Sequence, residues 1–594
     1  MLKATAGVIL GIMVGSAALA QQASDAVAPE GPGAGGFENL TPRADAALAA
    51  KAEGRPVEAR DWMVVAANPH AVEAGAEVLE RGGTAADALV AVQAMLGLVE
   101  PQSSGLGGGA FLVWYDAESK ELTTLDGRET APMAAKPQLF LDADGEPLEF
   151  YDAVVGGRSV GTPGTPALMA EAYRRWGNQP WPSLLTAAMD KAENGFIVSP
   201  RLAALVAEDA DRLATNERAA QYFLPGGKPI KAGKRLENFA YARTLRALAQ
   251  EGASGFYTGE IARNIVRTVQ GARDNPGVLS EVDLAIYRVK ERPAVCAPYR
   301  GYEVCGMGPP SSGAIAVGQI LGMLNGYDLS AGPSDPQVLR VIGDASRLAF
   351  ADRGRYVADS DYVPVPVTGM LDPAYLEQRA KLLEGRTALP EVSPGKPQFD
   401  HTLNWADDRA IELPSTSHVS IVDRFGNVAS MTTTIENGFG SRLMVGGFML
   451  NNELTDFSFA SHEDGVPIAN RVAPGKRPRS SMAPTIVMRE GKPVLAVGSP
   501  GGSRIIGYVA DAIIAHLDWG MDVQQAVSAP HAVNRFGTFD LEENTDSADM
   551  ADGLTAMGYE VNATTLNSGL HMIAIGDTLT GGADPRREGI ALGE

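Results

Sequence analysis

Cationic, thiol and imidazole groups are all scarce in this sequence. Its 594 residues carry 50 lysines and arginines against 72 aspartates and glutamates, a formal net charge of −22. A field of that sign repels phosphodiester backbones and anionic membrane surfaces, so neither nucleic acid nor lipid is an expected partner, although a local basic site can still admit a small anion. The seven histidines form no H-E-x-x-H pair and no Ser/His/Asp pattern, so a zinc-protease site and a histidine-based triad are not expected. Nothing in the sequence demands a metal or an organic cofactor. After the first twenty residues no apolar run is long enough to cross a bilayer, so no membrane span is expected in the mature protein.

What is present is apolar material, 45% of residues, and 67 glycines, enough for a large globular core with many turns and close backbone approaches. The opening MLKATAGVILGIMVGSAALAQQ has one basic residue, Lys3, an apolar run and a small-x-small site at Ala18-Leu19-Ala20. It has the form of a secretory signal, residues 1–20, cleaved near Gln21, with a single N-terminal anchor helix as the alternative. The expected location is therefore secreted or periplasmic. Residues 21–58 are rich in Ala, Pro, Gly and Glu and are expected to be a linker. Gly31 to Phe37, GPGAGGF, satisfies G-x-G-x-x-G but follows no strand and precedes no amphipathic helix, so a dinucleotide site is not expected there.

From Asn68 the pattern is helical. Asn68 caps, Pro69 occupies the first turn, and Val72, Ala76 and Leu79 share a face before Gly82-Gly83. Thr84 to Asp87 form a capping box that starts a second helix with Leu89, Val92, Leu96 and Val99 on its stripe. The glycines of GLGGGAFLVWYD lack a Gly-Lys-Ser/Thr, which favours close backbone packing before a strand over a phosphate loop. The two cysteines, Cys296 and Cys305, flank Arg300-Gly301. A two-residue hairpin turn there puts them opposite one another as a close-spaced pair, compatible with a disulfide or with two free buried thiols. Strands and helices alternate irregularly to about residue 385, and residues 386–415 turn proline-rich and polar, the composition of an exposed loop.

At the end of that loop stand three hydroxyls, Ser415, Thr416 and Ser417, followed by an alternating strand. If Arg424–Gly426 is a three-residue hairpin loop with Gly426 left-handed, Asp423 pairs with Asn427 and the register carries outward until Thr416 lies opposite Thr434. One face then holds Thr416, His418 and Ser420 opposite Thr434, Thr432 and Ser430, and the other holds Val419 and Ile421 opposite Met431 and Ala429. A threonine hydroxyl needs a base to become a nucleophile. A chain cut before Thr416 supplies one, because the new α-amino group has an unperturbed pKa of about 7.7.

The segment ELPSTSHVSIVDRFGNVASMTTTIENGFGSR resembles the processing site of the gamma-glutamyltransferase (gamma-glutamyltranspeptidase) family of N-terminal nucleophile hydrolases. The resemblance continues through FMLNNELTDFSF, PGKRPRSSMAPTIV, GSPGGSRII and GGADPRREG, and earlier through DGRETAP, VGTPGTPALM, YRGYEVCGMGPPSSG and RLAFADRGRYVAD. It implies an α+β fold, a four-layer αββα sandwich, made from a proenzyme that cuts itself between Ser415 and Thr416. A large subunit, 59–415, with an exposed processing segment at 386–415, would then pair as a heterodimer with a small catalytic subunit, 416–594. By the same resemblance Thr416 is nucleophile and amino-terminal base, Thr434 orients it, and the backbone N–H groups of Gly501 and Gly502 meet the oxyanion. Arg128 with Ser480 and Ser481 would hold a donor's α-carboxylate, and Glu453 and Asp456 its α-ammonium.

Two departures bear on substrate. Glu436 stands where family members commonly carry asparagine, and the segment from Phe457 to Gly475, a lid in well-known bacterial members, is short and lacks tyrosine. The leading expectation is a hydrolase and transferase acting on glutathione and related gamma-glutamyl donors, with water or an amino acid or peptide as acceptor. The alternatives are a cephalosporin (glutaryl) acylase of the same fold and, in another class, a periplasmic binding protein for acidic amino acids.

Overall fold

The structure, a computed structural model, describes residues 37–594 except 39, 402, 403, 409, 411 and 414. The expected signal segment 1–20 and residues 21–36 of the expected linker lie outside the described residues.

Two seven-stranded antiparallel sheets stack face to face. In spatial order the first comprises Val57–Ala59, Leu579–Ala583, His571–Ile575, Lys492–Gly498, Thr485–Arg489, Tyr302–Gly306 and Val295–Tyr299. The second comprises Ile590–Gly593, Met63–Ala66, Ser417–Val422, Val428–Thr434, Gly109–Asp116, Glu121–Gly127 and Lys290–Pro293. Three apolar cores hold the layers. Val65, Val113, Ile486, Ala496 and Ile573 fill the space between the sheets. The outer face of the second sheet, with Val419, Ile421, Ala429 and Met431, packs on helices that include Pro69–Glu80 and Ala85–Val99. The outer face of the first packs on Gly313–Leu324, Pro336–Tyr356 and Ile505–Leu517. Helix, sheet, sheet, helix is the αββα sandwich of the N-terminal nucleophile hydrolases.

Local signals resolve as the sequence predicts in the helical hairpin. Asn68 caps Pro69–Glu80, and Thr84 and Asp87 form a reciprocal capping box on Ala85–Val99. The glycines before Gly109–Asp116 are there for close approach: a Cβ on Gly108 would lie 1.9 Å from the Thr434 carbonyl oxygen. Cys296 pairs with Cys305 across the two strands and the pair is a disulfide.

The linker expectation is corrected from residue 42 onward. Pro42–Ala52 is a helix capped by Thr41, burying Ala44, Ala47 and Ala50, and Val57–Ala59 is a strand of the first sheet. Alanine is the best helix former as well as common in linkers, so composition alone does not separate the two. Lys51 Nζ on this helix donates to the carbonyls of Arg587, at 2.8 Å, and Gly589, at 2.6 Å, which docks the N-terminal helix behind the hydroxyl tip.

Candidate active site

The hairpin has the register its alternation predicts: Ser417 pairs with Thr433, His418 with Thr432 and Val422 with Val428. Gly426, at φ +86°, closes the loop. The strand begins at Ser417, one residue later than expected, so Thr416 stands free at its tip. Its Oγ1 lies 3.0 Å from Thr434 Oγ1. Both hydroxyls converge on the carbonyl oxygen of Ser415, Thr416 donating at 2.6 Å and Thr434 at 2.8 Å. The Glu436 N–H donates to Thr434 Oγ1 at 2.9 Å, which orients that hydroxyl. Arg587 Nη1 holds the carbonyl of Thr416 itself at 2.9 Å, and Ser415 Oγ donates to Gln102 O at 2.7 Å.

His418, the histidine nearest in sequence, is no base for Thr416. Its two ring nitrogens face Thr432 Oγ1 at 2.9 Å and Ser420 Oγ at 3.1 Å, and burial, with His571 beside it, holds its pKa well below the usual range. Ser420 and Ser430 on the same polar face bond to carbonyls of the other sheet, at His571 and Val497. The hydroxyl-rich face is thus mostly glue between the sheets, with only Thr416 and Thr434 reaching open space.

That space is a cleft of about 240 Å³. Of the ten catalytic and substrate-site residues expected from sequence, nine line it: Thr416, Thr434, Gly502, Arg128, Glu436, Glu453, Asp456, Ser480 and Ser481. Gly501 precedes Gly502, and both have positive φ, +136° and +57°. A Cβ on Gly502 would press on Glu412 O and on Leu413 at 2.8 Å, so the chain passes the cleft as backbone against backbone. No residue from Phe457 to Gly475 is among the lining residues.

Charge is unevenly placed in the walls. Arg128 is 1% exposed; its amino groups are ion-paired with Glu453 and Asp456, and it also donates to the carbonyls of Pro478, at 3.2 Å, and Arg479, at 2.9 Å. Where the sequence expects that fork to face a donor carboxylate, four of its five N–H groups are engaged by the protein. Four carboxyls crowd this one cation. Burial and neighbouring negative charge raise Glu453, with Arg128 opposing, and push Asp456 and Glu129 well above the usual carboxylate range. Glu436 is pushed up to about 8 by burial and then by Glu453, against the hydrogen bonds from Asn452 and the Leu413 N–H. Among the described residues no group of three or more His, Cys, Asp or Glu is arranged to hold a metal ion.

The processing segment is not exposed at its end, which corrects the expectation for residues 386–415. Trp405, Glu412, Leu413 and Ser415 are buried. Glu412 is ion-paired with Arg353 and faces Arg479. These partners, with Arg587, are the site residues that sequence reasoning missed. Their only signal was position, Arg353 in RLAFADRGRYVAD and Arg479 in PGKRPRSSMAPTIV.

A four-layer αββα sandwich with a strand-tip threonine, its hydroxyl on the preceding carbonyl, defines the class of N-terminal nucleophile hydrolases. The model of the gamma-glutamyltranspeptidase family matches residues 71–594. The glutathione hydrolase proenzyme of Bacillus subtilis (strain 168) is 37% identical over 549 residues, covering 90% of this chain and 92% of that protein. The acylase ACY 1 proenzyme of Pseudomonas sp. (strain SE83) is 34% identical over 549 residues, 90% of this chain and 94% of that one. Among solved structures, a cephalosporin acylase from Bacillus halodurans superposes with a TM-score of 0.81 at 27% identity, covering 91% of this chain and 97% of that chain. The chain belongs to the gamma-glutamyltranspeptidase family.

Proposed function

We propose that the chain cuts its own Ser415–Thr416 bond and then moves gamma-glutamyl groups from amide donors such as glutathione to water or an amino acceptor, through an ester on Thr416. The observation that carries this reading is the convergence of two hydroxyls on one carbonyl oxygen, 2.6 and 2.8 Å away, at the mouth of a charged cleft. In the first step Thr416 Oγ attacks the Ser415 carbonyl carbon and its proton passes to the Thr416 nitrogen. The C–N bond breaks, and water hydrolyses the resulting ester. The freed α-amino group is the base for turnover. Gly501 and Gly502 are assigned to the oxyanion, Ser480 and Ser481 to the carboxylate end of the donor, and Glu453, Asp456 and Glu436 to its ammonium. Arg128 sets the carboxylates of that ammonium side.

The two pieces, 59–415 and 416–594, remain paired as a heterodimer, and the form of the N-terminal segment supports a secreted or periplasmic enzyme. Among the described residues no helix is long and apolar enough to cross a membrane. A second reading, a glutaryl acylase, is favoured by the likeness to a cephalosporin acylase over 91% of the chain.

The test is direct. Purified, chelator-treated protein should run as two bands on a denaturing gel and release the chromophore of a gamma-glutamyl anilide, faster with a dipeptide acceptor. A single band without activity favours the binding protein, and preferential cleavage of the glutaryl anilide favours the acylase. Arg128→Lys is expected to raise KM for the gamma-glutamyl anilide at least about tenfold with a smaller change in kcat. One ammonium cannot span Glu453 and Asp456 as the planar fork does. Unchanged kinetics in that variant would remove Arg128 from the site.

A further inference from the structure

The intact chain already seats one carboxylate in the cleft wall. Glu412, four residues before Thr416, is 4% exposed. It is ion-paired with Arg353 and lies 3.7 Å from Arg479 Nε. Arg353 also donates to Ser481 Oγ and Ser312 Oγ, each at 2.8 Å. Burial works to raise the Glu412 pKa, but Arg353, Arg479 and the Ser481 hydroxyl outweigh it and hold the carboxyl below its usual range. The other anion on this pair is Asp408, 2.9 Å from Arg479 Nη2. Both anions belong to the stretch that leads to Ser415, so both arginines owe their neutralisation to a segment that acquires a free end when the bond is cut. Two guanidiniums this close, and this dry, demand an anion.

We propose that Arg353 and Arg479 form an anion subsite that Glu412 fills in the intact chain and that a carboxylate of the acyl donor fills once Ser415–Thr416 is cleaved. The inference rests on the self-processing acyl-transfer reading and narrows its donors to acyl groups bearing a carboxylate at the far end. A gamma-glutamyl α-carboxylate and a glutaryl carboxylate both qualify, because both lie at the end of the same carbon chain. Ser481 connects this seat to the wall that the sequence assigns to the donor carboxylate, and it does so on the side away from Arg128, whose donors are engaged. The unprocessed chain is then silent twice over: its nucleophile lacks a free amine, and its carboxylate seat is taken by its own glutamate.

Glutarate titrated calorimetrically into three proteins tests the proposal. Processed wild type is expected to bind it, processed Arg479→Gln at least about thirtyfold more weakly, the order of one charge-assisted contact, and intact Thr416→Ala not at all. No binding to processed wild type, or equal binding to Thr416→Ala or to Arg479→Gln, overturns the subsite. A second measurement needs neither cleavage nor a change in the arginines. Acetate should raise the Tm of Thr416→Ala/Glu412→Ala and leave Thr416→Ala alone unmoved, and a double variant indifferent to acetate overturns the proposal even if Arg479→Gln fails to fold. Binding requires no turnover, so glutarate binding without gamma-glutamyl cleavage rejects only the functional reading. Undiminished gamma-glutamyl turnover by Arg479→Gln rejects only the subsite.

Discussion

Thr416→Ala is expected to remain one chain, while the wild type ends as two pieces, the smaller spanning the 179 residues from Thr416 to Glu594. Alanine keeps the backbone of the strand tip and removes the only atom positioned to attack: Thr416 Oγ1 is the side-chain oxygen that touches the Ser415 carbonyl and belongs to the residue after it. Thr434→Val is the companion experiment. It preserves shape and the Thr416 hydroxyl but deletes the donor at 2.8 Å from Ser415 O, where negative charge gathers as the carbonyl becomes tetrahedral. Loss of one such donor costs about a hundredfold or more in rate. The valine variant should therefore mature slowly to the same two pieces, as followed by gel time course and by the mass of the new N-terminus. Maturation of Thr416→Ala at the same bond would remove the threonine from the mechanism, and wild-type speed in Thr434→Val would reduce Thr434 to a packing residue.

The junction was legible because short-range rules decide it. A period of two, a three-residue loop and one left-handed glycine fix the pairing of residues 417–422 with 428–433, and extending it by a single step brings Thr416 to Thr434. The same holds for the capped helical hairpin and for Cys296 opposite Cys305, each set by neighbours within a few residues. What stayed hidden depends on partners far apart in the chain. Glu412 reaches an arginine 59 residues away, and Arg128 meets carboxylates 325 and 328 residues away. No periodicity records an ion pair across such a gap. The resemblance named Arg128, Glu453 and Asp456 for opposite ends of a ligand without indicating that they engage one another. The segment before Ser415 has the polar, proline-rich composition of a surface loop, yet two buried arginines draw its last residues inward.

Glu436 controls the other expected result, a preference for gamma-glutamyl over glutaryl donors that grows with pH. Its carboxyl, pushed up to about 8 by burial and by Glu453, is neutral at pH 6 and mostly ionised at pH 8.5. A gamma-glutamyl donor carries an ammonium that gains from the ionised form, whereas a glutaryl donor puts a methylene there and leaves the new charge unpaired in a dry wall. The sign follows: raising the pH through 8 helps the first donor and hinders the second. In the wild type the ratio of kcat/KM values for matched anilides should rise at least about tenfold between pH 6 and pH 8.5 and reach about a hundredfold, equivalent to about 2.7 kcal/mol. Glu436→Gln resembles the protonated acid in shape and keeps an acceptor oxygen for the Asn452 amide and the Leu413 N–H that Glu436 now holds. That variant should behave near pH 6 much like the wild type and should lose the pH-dependent part of the preference. A ratio that is flat with pH in the wild type, or equally steep in Glu436→Gln, would assign the discrimination to Glu453 and Asp456 alone, and equal turnover of the two anilides at every pH would favour the acylase.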